Sequence, residues 1–344
     1  MENIIVVVSA LGTQGASVIS ACLSSPQLSN YEIRALTSNP TCDAATSLAG
    51  SNPRITIHGT DLNTLDSVMA AFKDATLIFA NTAFNHRVLL AQGPAATQAR
   101  EETQGLNIAR AASQIPSLKH LIWSTLVDTK SVTDSKIAIP LFQSKIPAEK
   151  YLRNPKNGMV DRTTFLHVAL YPSVFQRMPY APIFVRAAQK YIITLPCSLE
   201  AKIALAGDET VNVGLIAHAI FMQPEKTLGK TVSGATEYLT GPEIASALSN
   251  ALNKTAQQHP DSIPSTEVAY VDTTLESYGA LWGTVGLGTG SIFKFMNDYP
   301  SITENWGSAG GSESILTPAE LGLKEELRSV KQRFENLNWI AALA

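Results

Sequence analysis

Gly12 and Gly15 lie in VVVSALGTQGASVI, residues 6 to 19, between an apolar run and a helical pattern. Glycines so placed let the backbone approach a phosphate closely, and a helix that starts there offers unpaired N–H groups with a partial positive charge. The chemistry such a turn serves is pyrophosphate binding. A GxxGxxG series would begin one glycine earlier, where this chain has Ser9. A small side chain fits there if its φ is negative, and its hydroxyl could donate to a phosphate oxygen. A lone GxxG is a weak signal, because glycines end many strands for turn reasons alone. The setting strengthens it: a buried strand before, a helix after and a second strand near residue 31 are what a dinucleotide site requires.

The end of that second strand separates NAD from NADP. An acid there grips a ribose 2′-hydroxyl, whereas an arginine favours a 2′-phosphate. RALTSNP, residues 34–40, holds no acid, so NADP is favoured by elimination. Arg34 is the nearby cation, although strand alternation can turn it away from the site. The six histidines show no metal-ligand spacing. His58 and His167 alternate with apolar residues as core or sheet-edge groups do, and His86, after the fourth strand, is better placed for a site. No GxSxG elbow supports hydrolysis, and Gly15 is not followed by the Lys-Ser/Thr of a phosphate-transfer loop. Asp298, Glu304, Glu313 and Glu320 are dispersed and read as solvated.

The loop needs a scaffold, and the pattern supplies one. NIIVVV, residues 3–8, is a continuous apolar run, as in a parallel strand covered on both faces. A helix is predicted over 14–24, with strands at 31–38, 54–61, 75–82, 119–125 and 163–172 and helices over 64–73, 97–114 and from 142. Such alternation implies an α/β fold, a Rossmann-type doubly wound parallel sheet with right-handed crossovers. Beyond Tyr171, prolines and the glycine-punctuated YGALWGTVGLGTGSIF break the pattern, which predicts a smaller C-terminal α+β substrate-binding lobe. The expected division is a nucleotide-binding domain over 1–165 and the smaller lobe mainly over 173–344. Segments at about 163–172 and 211–221 are expected to complete the sheet. Trp282, Phe293, Phe295 and Met296 would form either a substrate-pocket wall or the lobe's own core.

Composition sets outer bounds. The chain has 344 residues, 45% hydrophobic and 16% charged, and a mean hydropathy of +0.06, enough for a large core. A net charge of −3 and a pI of about 6.1 give no basic field for nucleic acid or an anionic membrane. Cys22, Cys42 and Cys197 are scattered and odd in number, which fits a reducing cytoplasm better than a disulfide framework. The first apolar run has no basic segment before it and is too short to span a bilayer. A homo-oligomer is compatible with all of this.

SALGTQGASVI, RALTSNP, GTDLNTLDSV, ETQGLNIARAA, KHLIWST and FQSK stand in the order found in the NmrA-like family of atypical short-chain dehydrogenases/reductases. The chain resembles that family, which is related to the isoflavone-reductase-like proteins, well over residues 3–175 and more loosely at VNVGLIAHAI and LTGPEIASAL. The resemblance implies a Rossmann domain, a smaller C-terminal domain and NADP(H) in the cleft. By position it implies that Gly12, Thr13, Gln14 and Gly15 cradle the pyrophosphate; Ser9 and Leu11 in the same turn, and Arg34 and Ser38 on and after the second strand, are the further cofactor-contact candidates. Asp61 and Leu62 would flank the adenine, and Asn81, Thr82 and Ala83 would line the route to the nicotinamide. Lys145, in FQSK, matches the family lysine that reaches the nicotinamide ribose. Tyr171 resembles a tyrosine that follows the sixth strand and faces the nicotinamide, which makes it the candidate proton donor. Each has a plain structural alternative: a solvated helix lysine, a tyrosine packed between lobes, a turn aspartate.

The chain departs from the family pattern at three positions. Ser9 replaces a glycine, Ser38 replaces the TRNP arginine that contacts the 2′-phosphate, and Leu141 stands where YxxxK would place tyrosine. The last removes the tyrosine–lysine pair that protonates a carbonyl oxygen in ordinary members of the superfamily. Three readings follow. The first is an NADP(H)-dependent oxidoreductase that reduces a C=O, C=C or C=N bond of an apolar small molecule in specialised-metabolite biosynthesis, with Lys145 on the ribose and Tyr171 or water supplying the proton. The second is a non-redox cyclase, isomerase or rearrangement catalyst on the same scaffold. The third is a redox-sensing regulator that responds to nucleotide state.

Overall fold

The computed structural model describes residues 3–308 and 315–343; Glu313 and the side chain of His86 lie outside the described residues. In Asn3–Val7 (β1), Ile5 and Val7 enter one apolar cluster with Val18 and Ile19, while Ile4 and Val6 enter the opposite one with Val68, Phe72 and Ile108. A strand covered on both faces has no polar face to present, and this is why it reads as an unbroken apolar run. Tyr31–Thr37 (β2), Ile55–Gly59 (β3), Leu77–Ala80 (β4), His120–Thr125 (β5) and Thr163–Val168 (β6) follow. Beyond β6 the chain leaves the sheet for Ile183–Val185 (β7), Lys190–Leu195 (β8) and Lys202–Leu205 (β9). It returns as Thr231–Gly234 (β10) and leaves again through Glu237–Thr240 (β11) and Val268–Asp272 (β12).

The main sheet has seven strands in the order β10-β6-β5-β4-β1-β2-β3, all parallel. Strand order reverses between β1 and β4, so the crevice at the carboxyl ends of those strands is where a doubly wound sheet receives a ligand. Thr13–Ser24 (α1), Asp43–Ser51 (α2), Leu65–Phe72 (α3) and His86–Ser113 (α4) connect the first five strands. The last of these is broken at Gly93, at φ 83°, next to Pro94, so its first arm lies upstream of the 97–114 span expected from periodicity. Thr129–Val132 (α5), Pro140–Gln143 (α6) and Ile146–Arg153 (α7) connect β5 to β6.

One expected element is corrected. Residues 211–221 add no strand; Asn212–Met222 is a helix (α8). Val213, Ile216, Ala217 and Ile220 are buried with Ile5 and Val18, and a segment apolar almost all round looks alike as helix or strand. At its crossing with α1, a Cβ on Gly214 would lie 2.1 Å from the Ser17 carbonyl oxygen, and the Gly214 N–H donates to Ser17 Oγ at 2.8 Å. The strand that completes the sheet is β10, reached after Pro224–Thr227 (α9).

The remaining elements form the mixed α+β part. β8 pairs with β7 antiparallel and with β12 parallel, and β9 pairs with β11 antiparallel. Gly241–Gln258 (α10) and Leu275–Asp298 (α11) pack there, the latter interrupted at Gly283 with φ 62°. Phe293, Phe295 and Met296 are buried with Phe142 and Trp306, so they are core, and Trp282 is half-buried. Pro300–Thr303 (α12), Val330–Glu335 (α13) and Trp339–Leu343 (α14) complete the described chain. Among the described residues no helix is long and apolar enough to cross a membrane.

Candidate functional site

Helix α1 begins at the crevice with Gly12 as its N-cap, with no side-chain cap and no acid in its first turn. Its leading N–H groups therefore suit an anion. Gly15 serves packing: a Cβ there would lie 2.5 Å from the Ser9 carbonyl oxygen and 2.7 Å from Ala10 Cα. The condition under which Ser9 would fit without strain is not met, since its φ is +54°. The turn keeps the left-handed backbone that a glycine would take, at the expense of about 1–2 kcal/mol for a residue with a Cβ. Its hydroxyl does not point to a phosphate position either; it donates to the Asn81 carbonyl oxygen at 3.3 Å, tying the loop to the end of β4.

A cleft of about 260 Å³ brings together Ser9, Leu11, Gly12, Ser38, Asp61, Leu62 and Ala83. Arg34 is not among them, and its expected cofactor role is corrected. It sits mid-strand, and its Nη1 donates to the carbonyl oxygens of Ala71 at 2.8 Å and Lys73 at 2.7 Å, closing the end of α3. Asp61 Oδ1 accepts from the Asn63 N–H at 3.0 Å and from Asn63 Nδ2 at 2.6 Å. Those bonds hold its carboxyl below the usual range, with a smaller contribution from the Arg100 charge. Helix α4 grips the same turn: Gln104 Nε2 donates to Asn63 Oδ1 at 3.1 Å and Asn107 Nδ2 to the Leu62 carbonyl oxygen at 3.0 Å.

Lys145 is buried at the start of α7, not solvated. Its Nζ donates to the Thr82 carbonyl oxygen at 2.8 Å, to Thr82 Oγ1 at 3.1 Å and to Glu101 Oε1 at 2.7 Å. Thr82 Oγ1 donates to the same Glu101 oxygen at 2.7 Å, and Ser144 Oγ donates to Glu101 Oε2 at 2.6 Å. A buried cation is thus paired, with all three ammonium protons engaged.

Tyr171 packs between two apolar clusters, and burial pushes its phenol well above the usual tyrosine range. The Gln14 side chain beside it acts in the opposite direction, and the Glu209 carboxylate adds to the rise. Glu209 is fully buried, and its Oε1 accepts from Arg333 Nε at 3.1 Å and Nη2 at 3.0 Å. Among the described residues Gln14 Oε1, Asn81 Oδ1 and Glu209 Oε2 are buried acceptors with no partner. Ribose hydroxyls and a carboxamide carry the donors such oxygens lack, so these residues fit a nicotinamide nucleotide.

Glu101, Ser144, Arg100, Gln104, Glu209 and Arg333 were not identified from the sequence as site residues. Only Glu101 carried a readable signal. Thr97, Glu101 and Gly105 share the buried face of α4, and an acid inside a helix's core stripe needs a partner. Arg333 reaches Glu209 across 124 residues of chain, beyond any local pattern.

The NmrA-like family domain-containing oxidoreductase hkm9 of Aspergillus hancockii is 27% identical over 271 residues, 75% of each chain. The similarly described FrzB of Cladobotryum is 27% identical over 274 residues, 76% of each. Among solved structures, the negative transcriptional regulator NmrA in complex with NADP superposes with a TM-score of 0.69 at 20% identity, covering 98% of this chain and 96% of that one. Citrobacter triphenylmethane reductase complexed with NADP(H) gives 0.61 at 18% identity, covering 96% and 98%. Both likenesses are of fold. The match to the NmrA-like family spans residues 1–272, and the chain belongs to that family.

Proposed function

We propose that this chain is an NADP(H)-dependent oxidoreductase that reduces a C=O, C=C or C=N bond of an apolar small molecule in the biosynthesis of a specialised metabolite. The observation that carries the reading is the buried Lys145 ammonium, fixed on Thr82 at the end of β4 within reach of the strand-order reversal. The fungal relatives described as oxidoreductases and the two neighbours solved with NADP or NADP(H) support it. An acidic chain with three scattered cysteines fits action in the cytoplasm without nucleic acid.

The chemistry supplied by a bound nicotinamide is hydride transfer. The chain's own residues do the rest. The α1 N-terminus and Gly12 hold the pyrophosphate, with Leu11, Thr13, Gln14 and Gly15 shaping the turn. Lys145 holds a ribose hydroxyl once its longest bond, 3.1 Å to Thr82 Oγ1, gives way. Tyr171 retains its proton at neutral pH because burial disfavours the phenolate, so it is available as a donor to a developing anion. Leu141, where a tyrosine would stand in the usual motif, packs into the same apolar cluster as Leu126 and Leu170 and adds apolar surface instead of a proton.

The test is calorimetric titration of nucleotide-stripped protein with NADPH, NADP+, NADH and NAD+, followed by NADPH consumption against ketones, enones and iminium ions. NADPH binding with turnover of one class is the expected result. Product formed with NADP+ or without nucleotide would instead favour the non-redox reading.

A further inference from the structure

We propose that Arg100, on α4, reads the adenosine 2′-phosphate of the cofactor, making across the cleft the contact that Ser38 cannot make. This assignment rests on the NADP(H) reading above. The β2 side of the cleft offers no guanidinium: Ser38 is short and neutral, and Arg34 is spent on the Ala71 and Lys73 carbonyl oxygens. Arg100 lines the same cleft as Thr37 and Ser38. Its Cα is well fixed for the task. Thr97, Glu101 and Gly105 turn one face of α4 inward. Gln104 and Asn107 bond the helix to Asn63 and Leu62, leaving Arg100 at the exposed mouth.

The guanidinium is available. The Arg100 side chain makes no hydrogen bond or ion pair among the described residues. Its charged neighbour in the cleft is Asp61, which is exposed and committed through Oδ1 to Asn63. An exposed pair of this kind holds an arginine weakly. A phosphate monoester bears nearly two negative charges at neutral pH and presents oxygens that match the guanidinium fork, so it competes well for that arginine. Asp61, an acceptor at the end of β3, is left to face the adenine edge, where a 6-amino donor suits it. A cation on α4 can therefore replace one at the end of β2 without displacing the acid.

Calorimetric titration of the full chain and of Arg100→Ala with NADPH and NADH tests this. The wild-type protein is expected to bind NADPH more tightly than NADH. The variant should lose roughly tenfold or more of its NADPH affinity, as for one charge-assisted contact, and keep its NADH affinity. Arg100→Lys should recover part of the loss, and an unchanged melting temperature would show that the fold is intact. Equal loss for both nucleotides would place Arg100 on the adenine, and no loss would remove it from the site; either overturns the assignment while leaving the cofactor reading in place. If the wild-type protein binds neither nucleotide, the cofactor reading fails and the assignment fails with it.

Discussion

The Lys145 ammonium lies 2.7 Å from Glu101 Oε1, and the two side chains are only 8% and 1% exposed. Breaking such a pair from one side strands a charge in a low-dielectric interior, at a loss of about 3–5 kcal/mol. Glu101→Leu is therefore expected to destabilise the fold by about that much, and Lys145→Met by a comparable amount. The double variant Lys145→Met/Glu101→Leu should lose much less than the sum, because no charge remains to be solvated. Urea unfolding of the four proteins checks this. Additive losses would show that the two charges do not stabilise each other.

Two positions that meet where the turn enters α1 should respond in opposite directions. Ser9 holds φ +54°, and Ser9→Gly removes that strain while losing only the 3.3 Å bond to Asn81. The expected net is a stabilisation of up to about 1 kcal/mol. Gly15→Ala would place its Cβ 2.5 Å from a backbone oxygen, where no side chain can move aside. A destabilisation of about 1–3 kcal/mol is expected there, together with weaker nucleotide binding. Denaturation midpoints with calorimetry distinguish the two.

Much of the sheet could be read from sequence because burial on two faces leaves a local mark. Strands β1, β4 and β5 show it as apolar runs, and helix α1 shows it as apolar residues at helical spacing. The same logic fails at Asn212–Met222, where an element buried nearly all round loses the periodicity that separates helix from strand. Arg34 shows a second limit. The sequence places it on β2, but only packing decides that its guanidinium closes α3 instead of facing the crevice. The core of the smaller lobe joins Phe142, Phe295 and Trp306 across long stretches of chain, which no local window contains.

His120 should give the fold a measurable acid sensitivity. Burial pushes its imidazole down to about 4 from an ordinary 6.5. Thr164 Oγ1 donates to the Thr227 carbonyl oxygen at 2.8 Å, so the 2.7 Å contact with His120 Nε2 requires the ring nitrogen to be the donor. With the folded value depressed, the unfolded chain binds the extra proton between about pH 4 and pH 6.5. Stability is then full above that window, falls as pH drops through it and levels off below it, by at most roughly 3 kcal/mol. His120→Gln should flatten the slope of unfolding free energy across the window. An unchanged slope would assign the sensitivity to other groups.

Tyr171 provides the sharpest test of the proposed chemistry, because a packing role and a proton-donor role predict different kinetics. Its phenol is held protonated by burial, with the Glu209 carboxylate acting in the same direction. As its folded pKa is raised, ionisation of Tyr171 should produce no alkaline limb in the rate up to at least the normal tyrosine range, near pH 10. Tyr171→Phe keeps the ring that packs between the two clusters and removes only the proton. If that proton is delivered in turnover, kcat should fall roughly a hundredfold while NADPH affinity and melting temperature stay near wild type. A Phe variant with undiminished kcat would make Tyr171 a packing residue and leave protonation to water.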